Sequence, residues 1–247
     1  MSEVAVDRSS LATVLPVPSL QAIGIPAFTT TRAQGTYRLD GTDAAGDVVP
    51  RWHALAQALQ AEYGASRLAS ARQVHEATVL AHGDGWRGWL RADGADGHVT
   101  AAPGTALCVG VADCVPIFLG HPSGMVGILH AGWRGTVAGI LDRGLSAFVR
   151  AGHAASDVVV HFGPAICGTC YEVGPDVYQQ LTGTAVSSPT RVDLRGVLRE
   201  QARGLGVRDV SVSPLCTRCD GERLYSHRAG DSGRQLGVIV CATLTTR

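Results

Sequence analysis

The chain has 247 residues, 45% hydrophobic and 17% charged, so it can bury one large core under a lightly charged surface. Its 21 basic residues balance 21 acidic ones, which removes the long-range attraction that draws basic proteins to nucleic acids or anionic lipid. No apolar run approaches the ~18 residues of a membrane-spanning helix, and residues 1–10 are polar and acidic rather than basic and then apolar. The expectation is a cytoplasmic protein with neither a nucleic-acid nor a membrane partner, and a monomer, with a dimer as the alternative.

Residues 1–20, of mixed polarity with two prolines, read as a flexible tail, and residues 21–247 as one domain. Phe28-Thr-Thr-Thr is the first strand, and a loop carrying Arg32 and Gly35 follows it. Residues 41–50 are rich in Gly, Asp and Ala and read as a surface loop. Trp52, Leu55, Ala56, Leu59 and Tyr63 recur at helical spacing behind Pro50 and ahead of Gly64, which predicts a helix over residues 50–63. Residues 74–81 suggest a strand, and the six glycines of residues 83–104 a long, partly mobile loop. Residues 105–114 and 125–130 are nearly continuous apolar runs, as expected of strands covered on both faces. Both end on residues capable of chemistry, Cys114 and His130, with residues 116–119 a short strand or turn between them. A helix over residues 136–150, a strand over 157–162, a helix over 193–204 begun by Asp193 and strands at 210–212 and 236–242 complete the pattern. With no repeat and no long linker, the fold class is α+β in a single domain.

Seven cysteines cannot all pair within the chain, and a reducing compartment disfavours disulfides, so ligation, catalysis or burial must account for most of them. Arg72-Gln-Val-His presents His75, Val111-Ala-Asp-Cys presents Cys114, and His130 opens His-Ala-Gly-Trp-Arg-Gly. Two imidazoles and a thiolate make a catalytic zinc set that leaves a fourth position open, and copper tolerates the same ligands. The spacing of the three is not diagnostic, and buried cysteine with ordinary histidines is the plain alternative. Cys167-Gly-Thr-Cys170 and Cys216-Thr-Arg-Cys219 form two C-x2-C pairs that could hold structural zinc or an iron–sulfur cluster. Arg134, in a small-residue loop before a helix, is a candidate for a bidentate phosphate contact, as are Arg32 and Arg228. Asp113 reads as a residue that holds a strand end, Glu172 as an acid–base candidate with loop fixing as the alternative, and Gln73 as a neighbour of His75 able to touch substrate.

The blocks Arg72-Gln-Val-His, Val111-Ala-Asp-Cys-Val-Pro-Ile, His130-Ala-Gly-Trp-Arg-Gly-Thr and Gly163-Pro-Ala-Ile-Cys-Gly-Thr-Cys-Tyr-Glu-Val-Gly closely resemble the multicopper-polyphenol-oxidoreductase-like, or laccase-domain, family. That family is also described as a purine nucleoside phosphorylase family. The resemblance runs from Phe28 through Tyr225-Ser-His-Arg to the final strand. It implies a layered α-β-β-α sandwich with mixed sheets and metal ligands at His75, Cys114 and His130, with zinc the expected ion and copper the alternative. It draws His227 into the substrate-side set. It implies phosphorolysis of adenosine, inosine and guanosine with phosphate, related cleavage of methylthioadenosine, and adenosine deamination. The chain departs from the family pattern at Tyr37-Arg-Leu-Asp-Gly, where an Asn-Leu-Gly element is usual, and at Ala229-Gly-Asp. Those departures put the wall formed by residues 35–50 in question. A copper-dependent polyphenol oxidase and a metal-stabilised, non-catalytic interaction protein are the competing readings.

Overall fold

The computed structural model describes residues 11, 13–40 and 45–242. Its longest continuous pairing joins one of the two runs read as most apolar to the final strand, with Thr105–Val111 lying antiparallel to Gln235–Cys241 along its whole length. Numbered in chain order, the strands of the first sheet run β1 (Leu15–Pro16), β2 (Ala27–Thr29), β14 (Gln235–Cys241), β7 (Thr105–Val111), β3 (Arg67–Arg72) and β5 (Gly88–Asp93). The second sheet runs β13 (Asp209–Val212), β10 (Val159–Phe162), β8 (Val115–Gly120), β9 (Val126–Ala131), β6 (Gly97–Thr100) and β4 (Val79–His82). Each sheet mixes parallel and antiparallel pairs. A small ribbon of β11 (Glu172–Val173) and β12 (Thr190–Arg191) stands apart.

Three apolar layers hold the sandwich. Between the sheets, Leu107, Val109 and Ile239 meet Phe118, Val126 and Ile128. Gly237 permits this approach, since a Cβ there would come within 3.0 Å of Ile128 and 3.1 Å of Pro116. Outside the first sheet, α2 (Ala45–Tyr63) presents Val48, Trp52, Leu55 and Leu59 to Leu68, Ala106 and Val238. Outside the second, α4 (Ile140–Arg150) and α6 (Leu194–Gly204) bury Ile140, Leu145, Phe148 and Leu198. Each fully buried Leu, Ile or Phe contributes about 1.5–3 kcal/mol, so these layers carry most of the stability. The architecture is the α-β-β-α sandwich expected from the resemblance. Among the described residues, no helix is long and apolar enough to cross a membrane.

Several local expectations need correction. The end of the expected 1–20 tail holds β1 and most of α1 (Pro18–Gln21), because Val17 and Leu20 are buried in the intersheet core. Residues 1–10 lie outside the described part. The helix predicted over residues 50–63 is α2 and begins at Ala45, so part of the expected 41–50 loop is helical and Pro50 lies inside the helix, with residues 41–44 outside the described part. Buried Val48, one turn before Trp52, explains the extension. The expected strand over residues 74–81 reduces to β4, because the amides of residues 74–76 turn to a carboxylate instead of a neighbouring strand. The glycine-rich stretch 83–104 holds β5 and β6; Gly88, Gly94 and Gly104 adopt positive φ at the strand ends, and the residues between them pair normally. Residues 115–120 are a full, completely buried strand. The helix predicted over 136–150 is two, α3 (Trp133–Val137) and α4, broken at Gly139 with φ 77°. A helix absent from the sequence reading, α5 (Pro175–Thr182), follows β11.

His98 on β6 is wholly buried, and its Nδ1 lies 2.9 Å from His82 Nε2. Burial, aided by His82, lowers its pKa to about 3. An unfolded histidine takes up a proton near pH 6.5 and the folded His98 does not, so its contribution is present above that pH and lost as pH falls toward the folded value. The stability difference between the wild type and His98→Gln is therefore expected to shrink by about 2 kcal/mol between pH 7 and pH 5. Urea denaturation at the two pH values measures it, and a constant difference would refute a neutral, buried imidazole.

Candidate metal centre

The centre lies where the chain passes between the two sheets. His75 sits between β3 and β4, Asp96 between β5 and β6, and Cys114 between β7 and β8, while His130 is near the end of β9. Both turns carry unusual backbone, with φ of 62° at His75 and 85° at Asp113. Non-glycine residues adopt this region at a cost, which the surrounding contacts must offset.

Those contacts can be named. The fully buried Asp96 carboxylate accepts hydrogen bonds from the amides of Val74 at 3.2 Å, His75 at 3.0 Å and Glu76 at 2.9 Å. It also lies 2.8 Å from His130 Nδ1. An ionised carboxylate only accepts, so His130 donates from Nδ1 and keeps Nε2 for a ligand. Burial opposes ionisation of Asp96, yet the His130 hydrogen bond and the Glu76 and Val74 amides hold its carboxyl below the usual range. Asp113 clamps the other turn, accepting from Thr217 Oγ1 and from the Arg228 amide, each at 2.6 Å.

The nitrogen and sulfur donors of His75, Cys114 and His130 lie within 4.8 Å of one another, and the two imidazole rings stand nearly perpendicular, 4.8 Å between centroids. Burial penalises the Cys114 thiolate, but the charge and hydrogen bonds of His130 and His75 outweigh it and lower the pKa to about 6. For His130, burial works against the charged form, but Cys114 and Asp96 outweigh it and raise the pKa to about 9. The site thus gathers one sulfur and two imidazole rings where the surroundings favour the thiolate, the donor chemistry of a zinc or copper ion. Gly132 leaves room for it: a Cβ there would fall 3.0 Å from Cys114 Sγ.

Two cavities meet at this cluster. The larger, about 380 Å³, is walled by Tyr37, Trp52, Gln73 and Arg234. The smaller, about 290 Å³, is walled by Trp133, Arg134, Tyr171 and Arg228. His75, Ala112, Cys114 and His227 line both.

The other residues singled out in the sequence divide by position. Gln73 lines the larger cavity, but its amide is engaged in a reciprocal pair with Gly110, donating to the carbonyl at 2.8 Å and accepting from the amide at 2.7 Å. Arg134 lies over the Trp133 ring and Arg228 over Tyr171. Arg32 is ion-paired with Asp231, bonded to the Leu224 carbonyl and placed over Tyr225; it lines neither cavity. Glu172 is exposed on β11, outside both cavities, and its carbonyl accepts from Arg228 at 3.0 Å. Sequence reasoning passed over Asp96, Tyr171 and Arg234. The only signal for Asp96 was an acidic residue immediately before Gly97, His98 and Val99, inside what reads as a glycine loop.

Residues 27–242 match the family described as multi-copper polyphenol oxidoreductase laccase. The chain belongs to this family. Within it, the chain is 36% identical over 246 residues to a Deinococcus radiodurans protein named purine nucleoside phosphorylase, covering 91% of this chain and 92% of that one. It is 31% identical over 249 residues to a protein of an unknown prokaryotic organism named adenosine deaminase RL5, covering 90% and 93%. The crystal structure of YlmD from Geobacillus stearothermophilus superposes with a TM-score of 0.82 at 31% identity, covering 91% and 93%. The laccase-domain resemblance and the sandwich fold are both borne out, and the relatives' names point to an enzyme.

Proposed function

We propose that this chain is a zinc-dependent purine nucleoside phosphorylase with His75, Cys114 and His130 as its metal ligands. The observation that carries the reading is the meeting of two cavities at the clustered donor atoms of His75, Cys114 and His130. The names of the relatives support the substrate class.

The larger cavity takes the nucleoside, with Tyr37 and Trp52 supplying flat apolar surface for a ring and Gln73 and Ser70 polar edges. The smaller takes phosphate, with Arg134 and Arg228 supplying charge between apolar walls that strengthen it. An oxygen of phosphate then faces the anomeric carbon, near the residues common to both cavities. As the new carbon–oxygen bond forms, the carbon–nitrogen bond breaks and its electron pair leaves on the purine. His227, common to both cavities, holds the proton that purine N7 takes up. A divalent ion held by His75, Cys114 and His130 supplies Lewis acidity and fixed positive charge beside that centre. Glu172, exposed on its ribbon, takes no part in this scheme.

Zinc-loaded protein given inosine, adenosine or guanosine is expected to release free base and ribose 1-phosphate only when phosphate is present, read by chromatography of all products. Formation of inosine from adenosine without phosphate would instead identify the deaminase activity for which one relative is named. Fully loaded protein that releases no base from any of the three nucleosides would overturn the proposal.

A further inference from the structure

The two C-x2-C pairs, 49 residues apart in the chain, meet at the surface of the second sheet's end. Their turns are stitched by backbone. Ala165 and Cys216 form an isolated parallel bridge, and the Thr217 amide donates to the Ala165 carbonyl at 3.2 Å. Within the first pair, the amides of Cys170 and Tyr171 both donate to the Cys167 carbonyl at 3.0 Å, which folds the segment back on itself. Within the second, the Asp220 carboxylate accepts from the Cys216 amide at 2.9 Å. The result places four sulfurs within 4.8 Å of one another, with those of Cys170 and Cys219 3.5 Å apart.

That spacing discriminates among occupants. Four thiolates around one tetrahedral zinc, at about 2.3 Å each, stand about 3.8 Å from one another. A cluster of several irons spreads its thiolates further, and the sulfurs here are drawn in too tightly for it. Backbone also supports charge on sulfur, since Cys216 Sγ accepts from the amides of Cys167 at 3.3 Å and Cys219 at 3.5 Å. In the structure all seven cysteines are free thiols, so no disulfide uses these four.

We propose that Cys167, Cys170, Cys216 and Cys219 hold one structural zinc ion, separate from the His75–Cys114–His130 centre. Its role follows from what the turns carry. Tyr171, next to Cys170, walls the smaller cavity. Thr217, next to Cys216, is wholly buried and bonded to Asp113, whose other oxygen holds the Arg228 amide. One ion would therefore fix Tyr171, Asp113 and Arg228 relative to one another without touching substrate.

The test counts metal in the full chain, purified under reducing, anaerobic conditions with zinc present. Elemental analysis is expected to give two zinc ions per chain for the wild type and one for Cys114→Ser, in which the quartet is intact. Cobalt loaded into Cys114→Ser is expected to give the intense thiolate-to-metal absorption of a four-sulfur site. The double variant Cys167→Ser/Cys219→Ser is expected to keep one ion at the triad and to show only the weaker cobalt absorption of a single thiolate, Cys114. Because Cys114→Ser leaves the quartet untouched, the result stands even where the double variant folds poorly. Folded Cys114→Ser with no zinc, iron in place of zinc, or an intact mass two hydrogens lighter from a Cys170–Cys219 disulfide would each overturn the assignment. Metal stoichiometry is independent of nucleoside turnover, so this result and the phosphorylase reading stand or fall separately.

Discussion

Cys114→Ser is expected to cost one metal ion per chain and to lower kcat/KM for phosphorolysis by about 10³-fold or more, which corresponds to about 4 kcal/mol of transition-state stabilisation. The substitution changes one atom and leaves the turn's volume nearly unchanged, so the fold is expected to survive. What it removes is charge. A thiol held at a pKa of about 6 by His130 and His75 is ionised at neutral pH, whereas a serine hydroxyl in the same place stays protonated and offers an ion only a weak neutral oxygen. Two imidazoles then remain, of which His75 is solvent-exposed, too few to retain zinc against dilution. Elemental analysis and initial rates on the same preparation provide the check. A variant that keeps its full wild-type metal count and stays within tenfold of wild-type activity would remove Cys114 from the ligand set.

Much of this centre was legible because its residues are embedded in distinctive words. Gln-Val-His, Ala-Asp-Cys and His-Ala-Gly-Trp each place a candidate donor at the end of a strand or in the turn beyond it, and strand ends converge when two sheets stack. The long apolar strands β7, β9 and β14 were legible for a simpler reason: burial on both faces leaves nearly continuous Val, Ile and Leu. Failures came where a local signal had two meanings. The glycines of residues 83–104 punctuate short strands as readily as they loosen a loop, and only the pairing of β5 with β3 and of β6 with β9 decides between them. Gly139 was masked because Val137 and Leu141 keep helical spacing across it. Arg32 and Glu172 carried plausible chemistry, yet an aspartate partner claimed one and an exposed ribbon displayed the other. Asp96 had no word of its own. Its importance comes from four donors, three of which belong to a loop 20 or more residues earlier.

For that reason Asp96→Asn is expected to be far more damaging than its size suggests. One carboxylate oxygen serves the amides of Val74 and Glu76, and the other serves the His75 amide and His130 Nδ1. Asparagine has a single accepting oxygen. If its NH2 occupies the first position, two backbone donors face a third donor; if it occupies the second, His75 loses the bond that helps hold its φ of 62° and His130 loses its orientation. Either arrangement leaves buried donors unpaired at about 1–3 kcal/mol each, so a loss of about 3 kcal/mol in unfolding free energy is expected. Disturbing the partner of a ligand histidine weakens metal binding by about 10–100-fold, which chelator competition can read on protein that is still folded. The two measurements together separate the roles. Reduced stability with unchanged metal affinity would make Asp96 a loop clamp alone, whereas loss of both places it as the group that shapes His75 and aims His130 at one ion.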